Sequence, residues 1–101
     1  MNLYERLKNA SGFDWDEHNY YKNWLKHQVS PFESEEVFDN EPLLLDHDLK
    51  HSQTEERHIA YGKTNAGKCL LVCYTFRNDR VRVISARQMN KAERVRYEQR
   101  A

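Results

Sequence analysis

No stretch of this sequence stays apolar for long. Its longest unbroken run, Cys69 to Tyr74, has six residues, where a membrane-spanning helix needs roughly 20. A soluble protein is expected. The opening segment, Met1 to Gly12, is polar and of mixed charge and lacks the apolar stretch of a secretory signal, so the cytoplasm is the expected compartment. Cysteine is scarce: Cys69 and Cys73 stand four apart in a segment that reads as a strand. That spacing puts their Cα atoms about 13 Å apart, beyond the roughly 7 Å reach of a disulfide, so they are expected to be small apolar fillers on one strand face. Three glycines and two prolines, scattered through 101 residues, are too few for a flexible linker. With no repeat or low-complexity segment, the chain reads as one domain.

Charge, by contrast, is plentiful and uneven. Residues 1–50 carry eleven acidic and five basic residues and residues 51–101 carry five and eleven, so net charges of −6 and +6 cancel. A basic half of this kind can neutralise phosphates, and pairing between the halves can absorb part of the asymmetry.

The apolar pattern changes from helical to extended at Pro42. Before it, Phe13-Asp14-Trp15 reads as a short strand. Asp16 then caps a helix from Glu17 to Gln28 that places Tyr21, Trp24 and Leu25 on one core-facing side. Trp15 and Phe38 are also expected in the core. Ser30-Pro31-Phe32-Glu33 combines an N-cap serine, a proline at the first helical position and a glutamate three after the cap, which predicts a helix to about Phe38. Beyond Pro42, strands are expected from Leu43, over Arg57–Gly62, Lys68–Arg77 and Arg80–Ala86, with Asn65-Ala66-Gly67 and Asn78-Asp79 as turns. The third strand is apolar at both alternating sets, as a central strand covered on both faces would be. Asn90 and Glu93 cap a last, mostly solvated helix to Ala101.

An ordered set of short motifs resembles the BrnT family of bacterial toxins. It comprises Phe13-Asp14-Trp15-Asp16, Asn23, Lys26-His27, Val29-Ser30, Val37-Phe38, His51-Ser52, Glu55-Glu56-Arg57, Gly62, Val83-Ile84-Ser85-Ala86-Arg87, Glu93-Arg94 and Tyr97. The resemblance spans residues 13–97, which sets residues 1–12 apart as an N-terminal extension and 13–101 as the toxin-like domain. Gln28, where the family commonly has glycine, and Pro31 depart from the pattern at helix ends. The resemblance implies an α+β fold of RelE and ParE type: a compact antiparallel β-sheet flanked by two N-terminal helices and one C-terminal helix. It implies a ribonuclease that arrests growth as the toxin of a type II toxin–antitoxin pair. The implied partner is a BrnA-like antitoxin with a ribbon-helix-helix DNA-binding domain, in a heterotetramer of two toxins and two antitoxins. Operator DNA would be bound only through that partner.

Cleavage of RNA without a metal needs a base for the ribose 2′-OH, a stabiliser of phosphate charge and a proton donor for the leaving 5′-oxygen. Arg57, Arg82 and Arg87 are the candidate phosphate ligands, because guanidinium offers two parallel donors and stays charged at any working pH. His51 and Glu56 are the candidate bases. Adjacent residues point to opposite faces of a regular strand, so Glu55, not Glu56, would share the face of Arg57 unless a bulge intervenes. Arg80, Arg82 and Ile84 should share one face of the last strand. Lys63, Lys68, Arg77 and Arg80 are expected to hold the RNA backbone. Asp46-His47-Asp48 with His51 matches no standard metal spacing, and neither metal nor cofactor is expected. Lys26-His27 is accounted for by the dipole at a helix C-terminus. Two other activities fit the same resemblance: a toxin-like interaction module without catalysis, and a RelE/ParE-fold toxin acting on a protein target.

Overall fold

The hairpin that carries Arg77, Arg80, Arg82 and Arg87 is set by its two turn residues. Asn78 and Asp79 adopt φ of 52° and 61°, the left-handed pair that a two-residue turn between twisted antiparallel strands requires, and Arg77 pairs with Arg80 across it. The structure, a computed structural model, describes residues 1–48 and 55–100. In chain order it contains α1 (Leu3–Lys8), α2 (Lys22–His27), α3 (Pro31–Asp39), β1 (Leu44–His47), β2 (His58–Lys63), β3 (Cys69–Arg77), β4 (Arg80–Gln88) and α4 (Lys91–Arg100). The strands lie in sequence order in one sheet, every neighbour antiparallel, so the expected α+β class and meander are observed. No helix among the described residues is long and apolar enough to cross a membrane.

Alternation along the strands divides the sheet into two faces. On one, Ala60, Leu70, Val72, Tyr74, Val81, Val83 and Ala86 pack with Val29 and with Val37 of α3 in the main core. The capping box at Ser30 and Glu33 is formed in full, and it fixes where α3 starts. On the other face, Leu71 packs with Met89 and with Tyr97 of α4, and Cys69 and Cys73 lie half-buried beside them. The Tyr97 hydroxyl donates to the carbonyl of Pro42. β3 is covered on both faces from Leu70 to Tyr74, with Cys73 half-buried.

Three expectations are corrected. Where two N-terminal helices are expected there are three, because residues 1–12 contain α1, whose Leu7, with Ala10 after it, packs against the main core. Arg6 of α1 lies 4.1 Å over the ring of Phe76. The stretch Phe13-Asp14-Trp15 makes only an isolated parallel bridge, Phe13 to Val81, although Trp15 and Phe38 do pack against the core. The third correction concerns α2, which spans only Lys22–His27 because Asp16 closes a turn instead of capping a helix, accepting from the His18 N–H at 2.9 Å. Its expected core residues Tyr21, Trp24 and Leu25 are 62%, 50% and 75% exposed.

The reason lies at the open edge of β4, whose outward carbonyls need donors. Asn19 Nδ2 bonds the Val83 carbonyl and Lys22 Nζ the Ile84 carbonyl, both at 3.0 Å. Asn19 and Asn23 are the buried residues of this segment. Satisfying a strand edge took polar side chains inward and turned the apolar ones out.

Candidate functional site

Arg82 and Arg87 are five residues apart, and in a regular strand they would point to opposite faces. The register of β3 and β4 breaks between Cys73 and Tyr74: Tyr74 pairs with Val83 and Cys73 with Ser85, leaving Ile84 as the extra residue of a bulge. Past it the phase is reversed, and Arg80, Arg82, Ser85 and Arg87 share the α4 face. Ile84, expected on one face with Arg80 and Arg82, is the residue without a cross-strand partner. The anchors of Arg82 and Arg87 sit opposite Thr75 and Leu71, four residues and about 13 Å apart along β3. Between them lie Cys73 and Ser85.

Carboxylates hold the guanidinium groups. Arg87 donates from both terminal nitrogens to Glu93 of α4, at 2.8 and 2.9 Å. Arg82, with 11% of its side chain exposed, forms a two-point pair with Asp16 at 3.1 Å and reaches Asp14 at 3.4 Å. These bonds push both arginines further up from their usual pKa and hold Asp16 and Glu93 below the usual carboxylate range. Arg57 directly precedes His58, which packs with Tyr74 on the main-core face, so alternation turns Arg57 toward the face of Ile59, Cys73 and Arg87. Burial pushes the Cys73 thiol up, so it stays protonated near neutrality and is no nucleophile.

Arg77 belongs to the same face and pairs with Glu55 at 3.6 Å, the glutamate expected to accompany Arg57. Arg80, opposite Arg77, is exposed and makes no ion pair among the described residues. Lys63 follows Ile59 and Tyr61 in alternation and joins this face through its pairing with Cys69. Lys68 does not: its ammonium is 2.9 Å from Glu33 of α3.

Glu56 is also placed elsewhere, 3.9 Å from Arg6 and 4.0 Å from His58, on the face packed by α1 and α3. His51 lies outside the described residues. Among the described residues no three His, Cys, Asp or Glu side chains are gathered as a metal ion requires.

Sequence reasoning missed the carboxylates that hold the arginines, Asp14, Asp16 and Glu93, the last two read only as helix caps. It also missed Thr75 and Ser85, which face Arg82 and Cys73 across the strands. Their alternation with apolar neighbours was visible, but their partners depend on strand register.

Guanidinium groups gathered on one face of a sheet present the paired donors that phosphate oxygens accept. Residues 15–93 match the family described as "Ribonuclease toxin, BrnT, of type II toxin-antitoxin system", and the chain belongs to that family. It is thus a ribonuclease toxin of a type II pair, with RNA as its substrate and an antitoxin as its partner. A search of curated proteins found no match.

Proposed function

We propose that the arginine face of the sheet is the cleavage site, and that it cuts RNA without a metal ion. In this reading Arg57 and Arg87 hold the scissile phosphate, Arg82, braced by Asp14 and Asp16, fixes the edge of the site, and Arg77, Arg80 and Lys63 follow the backbone on either side. A base takes the proton of the ribose 2′-OH, the 2′-oxygen attacks the adjacent phosphorus, the bond to the 5′-oxygen breaks, and that oxygen is protonated as it leaves. The products are a 2′,3′-cyclic phosphate and a 5′-hydroxyl. Glu56 is turned toward Arg6 and His58, so the base role falls to His51 or Glu55. The observation that carries the proposal is the bulge at Ile84, which gathers Arg82 and Arg87 on the face of Arg77 and Arg80. Preorganised charges of this kind stabilise the extra charge of a phosphorane-like transition state without reorganising at the moment of reaction.

The four-stranded meander with helices supports a RelE-like architecture. The antitoxin is taken to be BrnA-like, with a dimeric ribbon-helix-helix domain bridging two toxins, and to silence cleavage by covering the arginine face. Expression of the chain with and without its antitoxin tests the activity. RNA fragmentation and growth arrest that vanish on co-expression support it, and growth arrest with intact RNA would favour a protein target instead.

A further inference from the structure

The least explained surface of the molecule is the outward side of α2. Tyr21, Trp24 and Leu25, spaced i, i+3, i+4, form one apolar ridge in solvent, while the inward side of the same segment is polar through Asn19 and Asn23. The ring of Tyr21 is held edge-on to Tyr20 at 4.9 Å, which orders part of the ridge in advance. Exposed aromatic and aliphatic side chains gathered in this way mark a contact surface. Between His18 and Gln28 the chain carries Lys22, Lys26 and two histidines and no acidic residue.

We propose that this ridge is the anchor for an acidic, amphipathic helical segment of the antitoxin, a reading that rests on the partnership assigned above. Apolar residues at helical spacing accept a second helix by interlocking of side-chain ridges, and carboxylates on that helix complement the flanking lysines. A second copy of this chain is a poor occupant, since a twofold contact would set the same cations against each other. Single-stranded RNA would use Tyr21 and Trp24 for stacking, but Leu25, the most exposed of the three, offers a base no stacking plane. The ridge is also continuous with the arginine face: Lys22 is bonded to Ile84 at the bulge, and Asp16, just before α2, holds Arg82. One partner chain can therefore anchor on α2 and lie across the arginines.

The test is calorimetric titration of the purified chain with the protein encoded by its neighbouring antitoxin gene. Leu25→Glu and the milder Leu25→Gln are compared with the parent, and thermal unfolding confirms that each variant is folded. Binding weakened on the order of 100-fold by Leu25→Glu, with RNA cleavage by the free chain unchanged, supports the proposal. Binding within threefold of the parent overturns it. Cleavage that falls while antitoxin binding holds would make the ridge an RNA surface, and a free dimer converted to monomer by Leu25→Glu would make it a self-contact; both overturn the proposal. A chain that binds its antitoxin through the ridge yet never cuts RNA would sink the cleavage site and leave this inference standing.

Discussion

Glu93 accepts both terminal nitrogens of Arg87 and, through the same carboxylate, the backbone N–H of Asn90 at 2.9 Å. One residue thus caps α4 and fixes the guanidinium that α4 overhangs. Removing Arg87 should lower RNA cleavage on the order of a hundredfold or more, as loss of a charged transition-state contact does. Arg87→Lys should not restore it, because an ammonium cannot reproduce the two-point fork. Glu93→Gln should lower cleavage less than Arg87→Ala, since the arginine remains but is less firmly held. Cleavage rates at matched soluble protein check the order, and equal rates for Arg87→Ala and the parent would remove Arg87 from the site.

Arg57→Ala and Arg82→Ala separate two roles. Both should reduce cleavage, but Arg82→Ala should also destabilise the fold, because it leaves Asp14 and Asp16 without their shared cation and a carboxylate beside a carboxylate. Lower cleavage by both variants and a drop in unfolding temperature for Arg82→Ala are the expected results. Full activity in both variants would disprove the assignment.

Cleavage should continue in excess EDTA and leave 2′,3′-cyclic phosphate or 3′-phosphate ends. In the proposed mechanism the arginines take the charge-stabilising part that a metal plays in metal-dependent nucleases. Strict dependence on a divalent ion, or 3′-hydroxyl products detected by end-labelling, would contradict this mechanism.

His58 is buried, with no hydrogen-bond partner for either ring nitrogen among the described residues, and its ring packs at tilted or edge-on angles against His47, Tyr74 and Phe76. Burial first, and then His47 and Arg6, hold its pKa below the ordinary 6.5, with Glu56 opposing. The unfolded chain therefore binds a proton that the folded chain refuses, so stability is complete above 6.5 and falls as the pH drops below it. His58→Phe, a swap of similar volume, should flatten the fall just below 6.5. Acid losses from Glu33 and Glu93, whose carboxyls are held below their ordinary 4.5, should persist at lower pH. Parallel curves of unfolding temperature against pH for variant and parent would refute the role of His58.

Gly62 marks where α3 meets the sheet. A Cβ there would stand 2.8 Å from Val37 Cγ1 and 3.2 Å from the Val37 carbonyl oxygen, so Gly62→Ala should cost about 1–3 kcal/mol by overpacking. Urea unfolding should show a lower midpoint at unchanged slope. An unchanged midpoint would mean that α3 gives way freely.

Local chemistry was legible in the sequence because each signal is made by residues a few positions apart. Ser30 with Glu33, Asn90 with Glu93, and the Asn78-Asp79 turn all formed where their spacing placed them, and the apolar run Cys69 to Tyr74 became the central strand. The family motifs were equally legible, and residues 15–93 match that family. Three features depended on partners distant in sequence. The bulge at Ile84 reverses the phase of β4, and nothing in Val83-Ile84-Ser85-Ala86-Arg87 fixes which residue is extra until β3 is laid beside it. The fate of Tyr21, Trp24 and Leu25 was decided by the open edge of β4, whose carbonyls drew Asn19 and Lys22 inward. Glu56, adjacent to Arg57 in sequence, was assigned by strand alternation and by Arg6 of α1 to the other side of the sheet. A sequence determines which elements form through short-range propensity; which of their side chains meet is set by register and edge satisfaction, and those exist only once the strands have paired.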